Sequence, residues 1–250
     1  MSASGRKTGI KIVSDLCVKE IMDLDIRHHY IEKGQGEALV LLHGNGEDSE
    51  FFSSQIEAFS KDYHVYAVDT RGHGGTPRGN APFTIRQFAE DLSGFFDEHG
   101  IDRAHILGFS DGANIAMCFA LAYPDRVASL ILNGGNLDPS GVKRLYQLPI
   151  EIGFKIASRA AEKDEKARKN AELLGLMVND PNIAPSSLAA VHVPTLVIAG
   201  TRDMIKEKHT RLIAESIHCA RLSILSGNHF LAEKHPDAFN QTVLDFLKSL

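Results

Sequence analysis

In Gly108-Phe109-Ser110-Asp111-Gly112 a hydroxyl lies between two glycines, after an apolar run and before the small-residue stretch Ala113-Asn114-Ile115-Ala116. A strand that enters Gly-x-Ser-x-Gly and leaves as a helix must turn sharply. The serine then takes a strained backbone conformation, and the glycines let strand and helix approach closely. The hydroxyl is pushed out at the sheet edge. It sits beside the free N–H groups of a helix N-terminus, whose partial positive charge favours an anion forming there. Acyl transfer from such a serine needs an imidazole to take its proton and a carboxylate to orient the imidazole. Asp203 stands just after the buried run Thr195-Leu196-Val197-Ile198-Ala199, and His229 follows in Ser226-Gly227-Asn228-His229-Phe230. Of the 12 histidines, His229 alone falls in the loop after the last expected strand.

Each residue also has a plainer role. Ser110 fits a strand-to-helix turn as an N-cap, and Asp203 fits a helix cap. His43-Gly44-Asn45-Gly46, after the apolar run Ala38-Leu39-Val40-Leu41-Leu42, fits either a connecting loop or a turn whose backbone N–H groups meet a developing oxyanion. Asp69 and His73 lie four residues apart in a glycine turn and need not face Ser110 at all. No acid stands at the exit Asn133-Gly134-Gly135-Asn136 before Asp138, which favours Asp203 as the orienting carboxylate.

With its elbow serine and its Ser, Asp, His order, the sequence resembles the α/β-hydrolase superfamily of the Ser-Asp-His, serine esterase-like type, over about residues 25 to 250. The resemblance implies a mostly parallel central sheet flanked by helices, with a core of residues 1–136 and 191–250 and a helical cap inserted at 137–190. It implies a triad of Ser110, Asp203 and His229, and oxyanion donors at the N–H groups of Asn45 and Asp111. It gives His43 a structural role and Asp69 and Arg71 the task of bracing their turn. In the family such a cap covers the serine, so Tyr146, Phe154, Leu174 and Met177 become candidates for a substrate-facing wall, or else ordinary cap packing.

The elbow Gly-Phe-Ser-Asp-Gly is similar to the biphenyl-hydrolase-like branch, members of which handle amino-acid esters. The Asp111 carboxylate is therefore a candidate partner for a cationic substrate group, although an acid in a first helical turn is favourable by itself. Serine rather than aspartate at the elbow argues against the haloalkane dehalogenase and epoxide hydrolase branches. The elongated glycine loop of the hormone-sensitive-lipase branch and the Gly-Gly-x-x-Gly elbow of proline iminopeptidases are both missing. The resemblance thus implies hydrolysis of a small carboxylic ester through an acyl-enzyme on Ser110. C–C bond hydrolysis, enol-lactone hydrolysis and slow-turnover ligand reception remain open.

The elements that must position these residues follow from pattern. Runs apolar on both faces at 38–42, 64–68, 127–132 and 195–199 fit central strands covered by helices on each side, and 221–225 fits the last strand. Thr84 is placed to cap a helix carrying Ile85, Phe88, Leu92, Phe95 and Phe96 at helical spacing, ended by Gly100. Segments 18–22 and 26–32 are expected to pair as short strands. Residues 1–18 receive no assignment, although Ile10, Ile12 and Val13 alternate with polar neighbours as in an edge strand. Residues 137–190 break the strand-helix alternation with helix formers and charge.

A chain of 250 residues, 43% hydrophobic and 24% charged, fits one large α/β domain. A net charge of −5 offers no basic surface for nucleic acid, so a small-molecule partner is expected. Cys17, Cys118 and Cys219 show no metal-ligand or disulfide spacing, and with no phosphate loop or dinucleotide fingerprint the reading is catalysis without metal or cofactor. No signal peptide or membrane-length apolar run is visible, so a cytoplasmic location and no membrane partner are expected. The sequence sets no oligomeric state.

Overall fold

The computed structural model describes residues 25–250. The expectations for residues 1–18, for the strand at 18–22 and for Cys17 lie outside that range. In chain order the strands are β1 (Tyr30–Lys33), β2 (Ala38–Leu42), β3 (His64–Val68), β4 (Ala104–Phe109), β5 (Val127–Asn133), β6 (Thr195–Gly200) and β7 (Ala220–Leu225). The helices are α1 (Ser53–Phe59), α2 (Ile85–His99), α3 (Asp111–Ala122), α4 (Arg144–Ala160), α5 (Glu165–Asn179), α6 (Glu207–Ser216), α7 (Leu231–Lys234) and α8 (Pro236–Leu247).

The strands form one sheet in the order β1-β3-β2-β4-β5-β6-β7. Among the described strands only β1 is antiparallel, pairing Tyr30 with Val68 and Lys33 with Val65. The short strand expected at 26–32 thus begins later, and its partner among the described residues is β3.

Side chains alternate along each strand, so the sheet feeds two cores. Val40 and Leu42 of β2 and Ile106 of β4 join Phe88, Leu92, Phe95 and Phe96 of α2 and Ala116 and Phe119 of α3 on one face. On the other, Leu39, Leu41, Leu107 and Phe109 meet Ile56 and Phe59 of α1 and Phe239, Val243 and Phe246 of α8. Burying each such side chain fully contributes about 1.5–3 kcal/mol, which is why these strands carry no polar face. The α2 ends are capped as the sequence indicates: Thr84 Oγ1 accepts from Gln87 N–H at 3.2 Å, and Gly100 closes the helix at φ 63°.

Between β5 and β6 the chain leaves the sheet to form α4 and α5, which pack on each other. One face of α4 stays open to solvent, with Leu145 79% and Ile156 63% exposed and Leu148 and Ile152 between them. No helix among the described residues is long and apolar enough to cross a membrane.

Candidate active site

Because β2 lies between β3 and β4, the connections from β2 and β4 depart to opposite faces of the sheet. A crevice opens there, at the carboxyl ends of the strands. Four loops meet at this edge: 43–46 after β2, the elbow after β4, the loop after β6 and the loop after β7.

At the elbow Ser110 adopts φ 53° and ψ −117°, a strained conformation for a residue with a Cβ. Its N–H donates to Asn133 O at 2.8 Å, which pins the turn to the end of β5. The flanking glycines are sterically required. A Cβ on Gly108 would lie 2.2 Å from Gly112 O, and one on Gly112 would lie 2.0 Å from Leu42 O. The start of α3 is thereby pressed against β2 and β4, and the serine is carried into the crevice.

His229 Nε2 lies 3.1 Å from Ser110 Oγ, and its Nδ1 lies 2.7 Å from Asp203 Oδ1. The carboxylate fixes the tautomer: Nδ1 carries the proton and donates to Asp203, so Nε2 is free to accept from the serine hydroxyl. Burial alone would raise the Asp203 carboxyl. The hydrogen bond and charge of His229 and the N–H groups of Ile205 and Gly200 outweigh it and hold the carboxyl below the usual carboxylate range. Lys143 Nζ donates to the Asp203 backbone oxygen at 2.5 Å. Behind the imidazole, a Cβ on Gly134 would lie 2.7 Å from His229 Cε1, so the glycine exit of β5 supplies the space in which the ring sits.

Among the described residues neither Asn45 N–H nor Asp111 N–H donates to a carbonyl or side chain. Both donors of the Asn45 side-chain amide, in contrast, are engaged: its Nδ2 donates to Asp111 Oδ2 at 2.9 Å and to Leu173 O of α5 at 2.9 Å. Asn114 Nδ2 meets the other Asp111 oxygen at 3.2 Å and also donates to Asn136 Oδ1 at 3.1 Å. Both Asp111 oxygens are thus held by amides, and burial pushes the carboxyl upward despite them. Glu47 closes the loop after β2 by accepting from Gly44 N–H at 3.1 Å. Burial, reinforced by Glu233, Asp48 and Asp111, raises its carboxyl to about 7.

The other polar candidates are engaged elsewhere. Asp69 accepts from Ser49 N–H, Gly75 N–H and His29 at 2.7–2.8 Å. His73 bonds Thr70 and the Arg71 carbonyl. His43 Nε2 accepts from Thr70 N–H at 3.0 Å while Nδ1 donates to Gly44 O, a wholly structural pattern. Arg71 is buried in a fork–fork pair with Asp91, both bonds 2.7 Å, and also meets Asp25. Asp138 caps the turn at Ser140.

Of the four wall candidates, Leu174 lines a cavity of about 530 Å³ between α4 and α5 that reaches Asn45. Phe154 instead packs against Gly175 of the facing helix, Tyr146 is 43% exposed, and the Met177 carbonyl accepts from Gln147 Nε2. The sequence reading overlooked Glu47, Asn114, Gly134 and Lys143. Glu47 and Asn114 act on partners three positions away and so had a local signal, whereas Lys143 and Gly134 act across 60 and 95 positions. Among the described residues no cluster of His, Cys, Asp and Glu is arranged to hold a metal.

A family model described as the alpha/beta hydrolase fold matches residues 37–172. The chain is 30% identical over 271 residues to 2-hydroxy-6-oxononadienedioate/2-hydroxy-6-oxononatrienedioate hydrolase 2 of Pseudomonas putida, covering 90% of this chain and 93% of that protein. It is 31% identical over 266 residues to the enzyme of the corresponding name in Cupriavidus pinatubonensis, with coverages of 90% and 92%. In structure it superposes on the enol-lactonase of Burkholderia xenovorans LB400 with a TM-score of 0.76 at 25% identity, covering 90% of this chain and 97% of that one. The chain therefore belongs to the alpha/beta hydrolase fold family, and it is a hydrolase.

Proposed function

We propose that the protein hydrolyses a small carboxylic ester through an acyl-enzyme on Ser110. The observation that supports this most directly is the unbroken line from Asp203 through His229 to Ser110, with contacts of 2.7 and 3.1 Å. Ser110 Oγ bonds to the ester carbonyl carbon as its proton passes to His229 Nε2. The carbonyl electron pair moves onto oxygen, facing the N–H groups of Asn45 and Asp111. Collapse of this intermediate expels the alcohol, which takes the proton from Nε2. Water then attacks the acyl-serine by the same sequence and releases the acid. Asp203 stays ionised throughout, stabilising the imidazolium without accepting its proton.

Turnover of short p-nitrophenyl esters tests the reading. Ser110→Ala and His229→Ala should each lower kcat/KM by several powers of ten, and retention of most turnover by either variant overturns the assignment. Sustained multiple turnovers separate an enzyme from a receptor that stops after one acylation.

A second reading has support in the names of the relatives: the same residues can open a C–C bond or an enol-lactone. A kcat/KM at least tenfold higher for an enol-lactone or a vinylogous diketone than for any simple ester would favour it.

A further inference from the structure

We infer that His209 is a positioning residue for the hydrolysis: it ties the segment leading into α4 to the loop that bears Asp203, and so holds His229 in line with Ser110. The inference rests on the ester reading above and adds what keeps its residues aligned. Because β5 and β6 are neighbours, the segment that leaves β5 for α4 runs beside the loop after β6. The two are joined in antiparallel register. Lys206 N–H donates to Gly141 O at 2.9 Å, Lys143 N–H donates to Met204 O at 2.9 Å, and between these bonds Val142 and Ile205 form a bridge. Ile205 N–H in turn donates at 2.9 Å to Asp203 Oδ1, the same oxygen that accepts from His229 Nδ1. The position of this backbone seam is therefore felt at the atom that orients the imidazole.

His209, in the first turn of α6, closes the seam. Its Nε2 accepts from Leu137 N–H at 2.9 Å, and its ring fills the space a side chain at 141 would need, a Cβ on Gly141 lying 2.6 Å from Nε2. At Leu137 the chain leaving β5 meets the chain returning from α5. The N–H of Leu137 goes to His209, and its carbonyl accepts from Ile183 N–H at 2.7 Å. One position earlier, Asn136 N–H donates to Asn114 Oδ1 of α3 at 2.8 Å. Leu137 is fully buried, so removing the imidazole leaves its N–H unpaired and away from water. To accept this bond Nε2 must be unprotonated. Burial favours that state, as do Lys206, Lys208 and the positive end of α6, against the opposing charge of Asp138.

The test sets His209→Met, which fills the space without an acceptor, against His209→Gln, whose amide oxygen can take the Leu137 N–H. With p-nitrophenyl butanoate, below the unfolding transition of each protein, kcat should fall about ten- to hundredfold in His209→Met while KM stays within about twofold of the parent. His209→Gln should rescue kcat to within about threefold of the parent. A packing role alone would lower Tm in His209→Met and leave kcat of the folded protein in place. Parental kcat in His209→Met, or an equal loss in both variants, overturns the assignment. The Nδ1–H proton resonance of His229, read by NMR without substrate, should stand far downfield in the parent and in His209→Gln and be lost in His209→Met. If the parent turns over no ester, this resonance decides alone. Its loss in His209→Met only means that the ester reading fails and the positioning role stands, and any other pattern overturns that role. Should His209→Met not fold, Gly141→Ala takes its place, because the new methyl displaces the ring with the acceptor still present. The same fall in kcat is expected there, and a parental value overturns the assignment.

Discussion

Replacing Glu47 by glutamine should make the protein more stable at neutral and alkaline pH and leave it unchanged in acid. Burial raises the folded-state carboxyl from an ordinary value of 4.5 to about 7. Below 4.5 the carboxyl is neutral in both folded and unfolded chains, and it costs nothing. As pH rises from 4.5 towards 7 the unfolded chain releases this proton while the folded chain retains it, so stability is lost across that window. Above 7 both states are ionised and the loss levels off. A rise of this size corresponds to at most about 3 kcal/mol, and screening of a group that is not fully enclosed reduces it to about 1–2 kcal/mol. Glutamine keeps an oxygen to accept the Gly44 N–H, so the variant removes the charge and spares the loop contact. Denaturant melts of both proteins at pH 4.5 and pH 8 should coincide at the lower pH. At the higher pH they should separate by about 1–2 kcal/mol in favour of the variant, or a few degrees in Tm for a domain of this size. Curves offset by the same amount at both values would refute the reasoning, since they would show that the carboxyl does not titrate abnormally in the folded state.

Asp111→Asn distinguishes a substrate partner from a loop anchor. Both carboxylate oxygens meet amides, so kcat/KM should fall by the same factor for an α-amino ester and for its uncharged analogue; a loss confined to the amino ester would assign the carboxylate to a substrate ammonium. Gly112→Ala puts a methyl 2.0 Å from Leu42 O, and the backbone shift this forces should cost about 2–4 kcal/mol in chemical denaturation. A variant within 0.5 kcal/mol of the parent, on the scale of an ordinary surface change, would show that α3 has room to move.

The parts of the fold that were legible from sequence are those whose cause is local. Residues 38–42 are apolar on both faces because each face of β2 has its own core, and Thr84 and Gly100 cap α2 through their own side-chain and backbone chemistry. The elbow was legible because glycine at 108 and 112 is a steric demand made within five residues. Strand β1 was only half legible: its extended character shows in 30–33, but its partner β3 lies more than thirty positions away. The cap wall was least legible. Helical spacing places Phe154 and Leu174 on faces that can turn inward, yet only the packing of α4 on α5 decides that one fills the helix contact and the other borders the cavity. Lys143 and Gly134 act on Asp203 and His229 across 60 and 95 positions, distances at which no periodicity carries information.

The two hydrogens of one amide, Asn45 Nδ2, join the start of α3 to α5. Under the ester mechanism proposed above, a bulky guest that levered α5 outward would pull on the loop whose N–H faces the developing oxyanion. Poor fit would then slow the chemical step as well as weaken binding, coupling size discrimination to turnover.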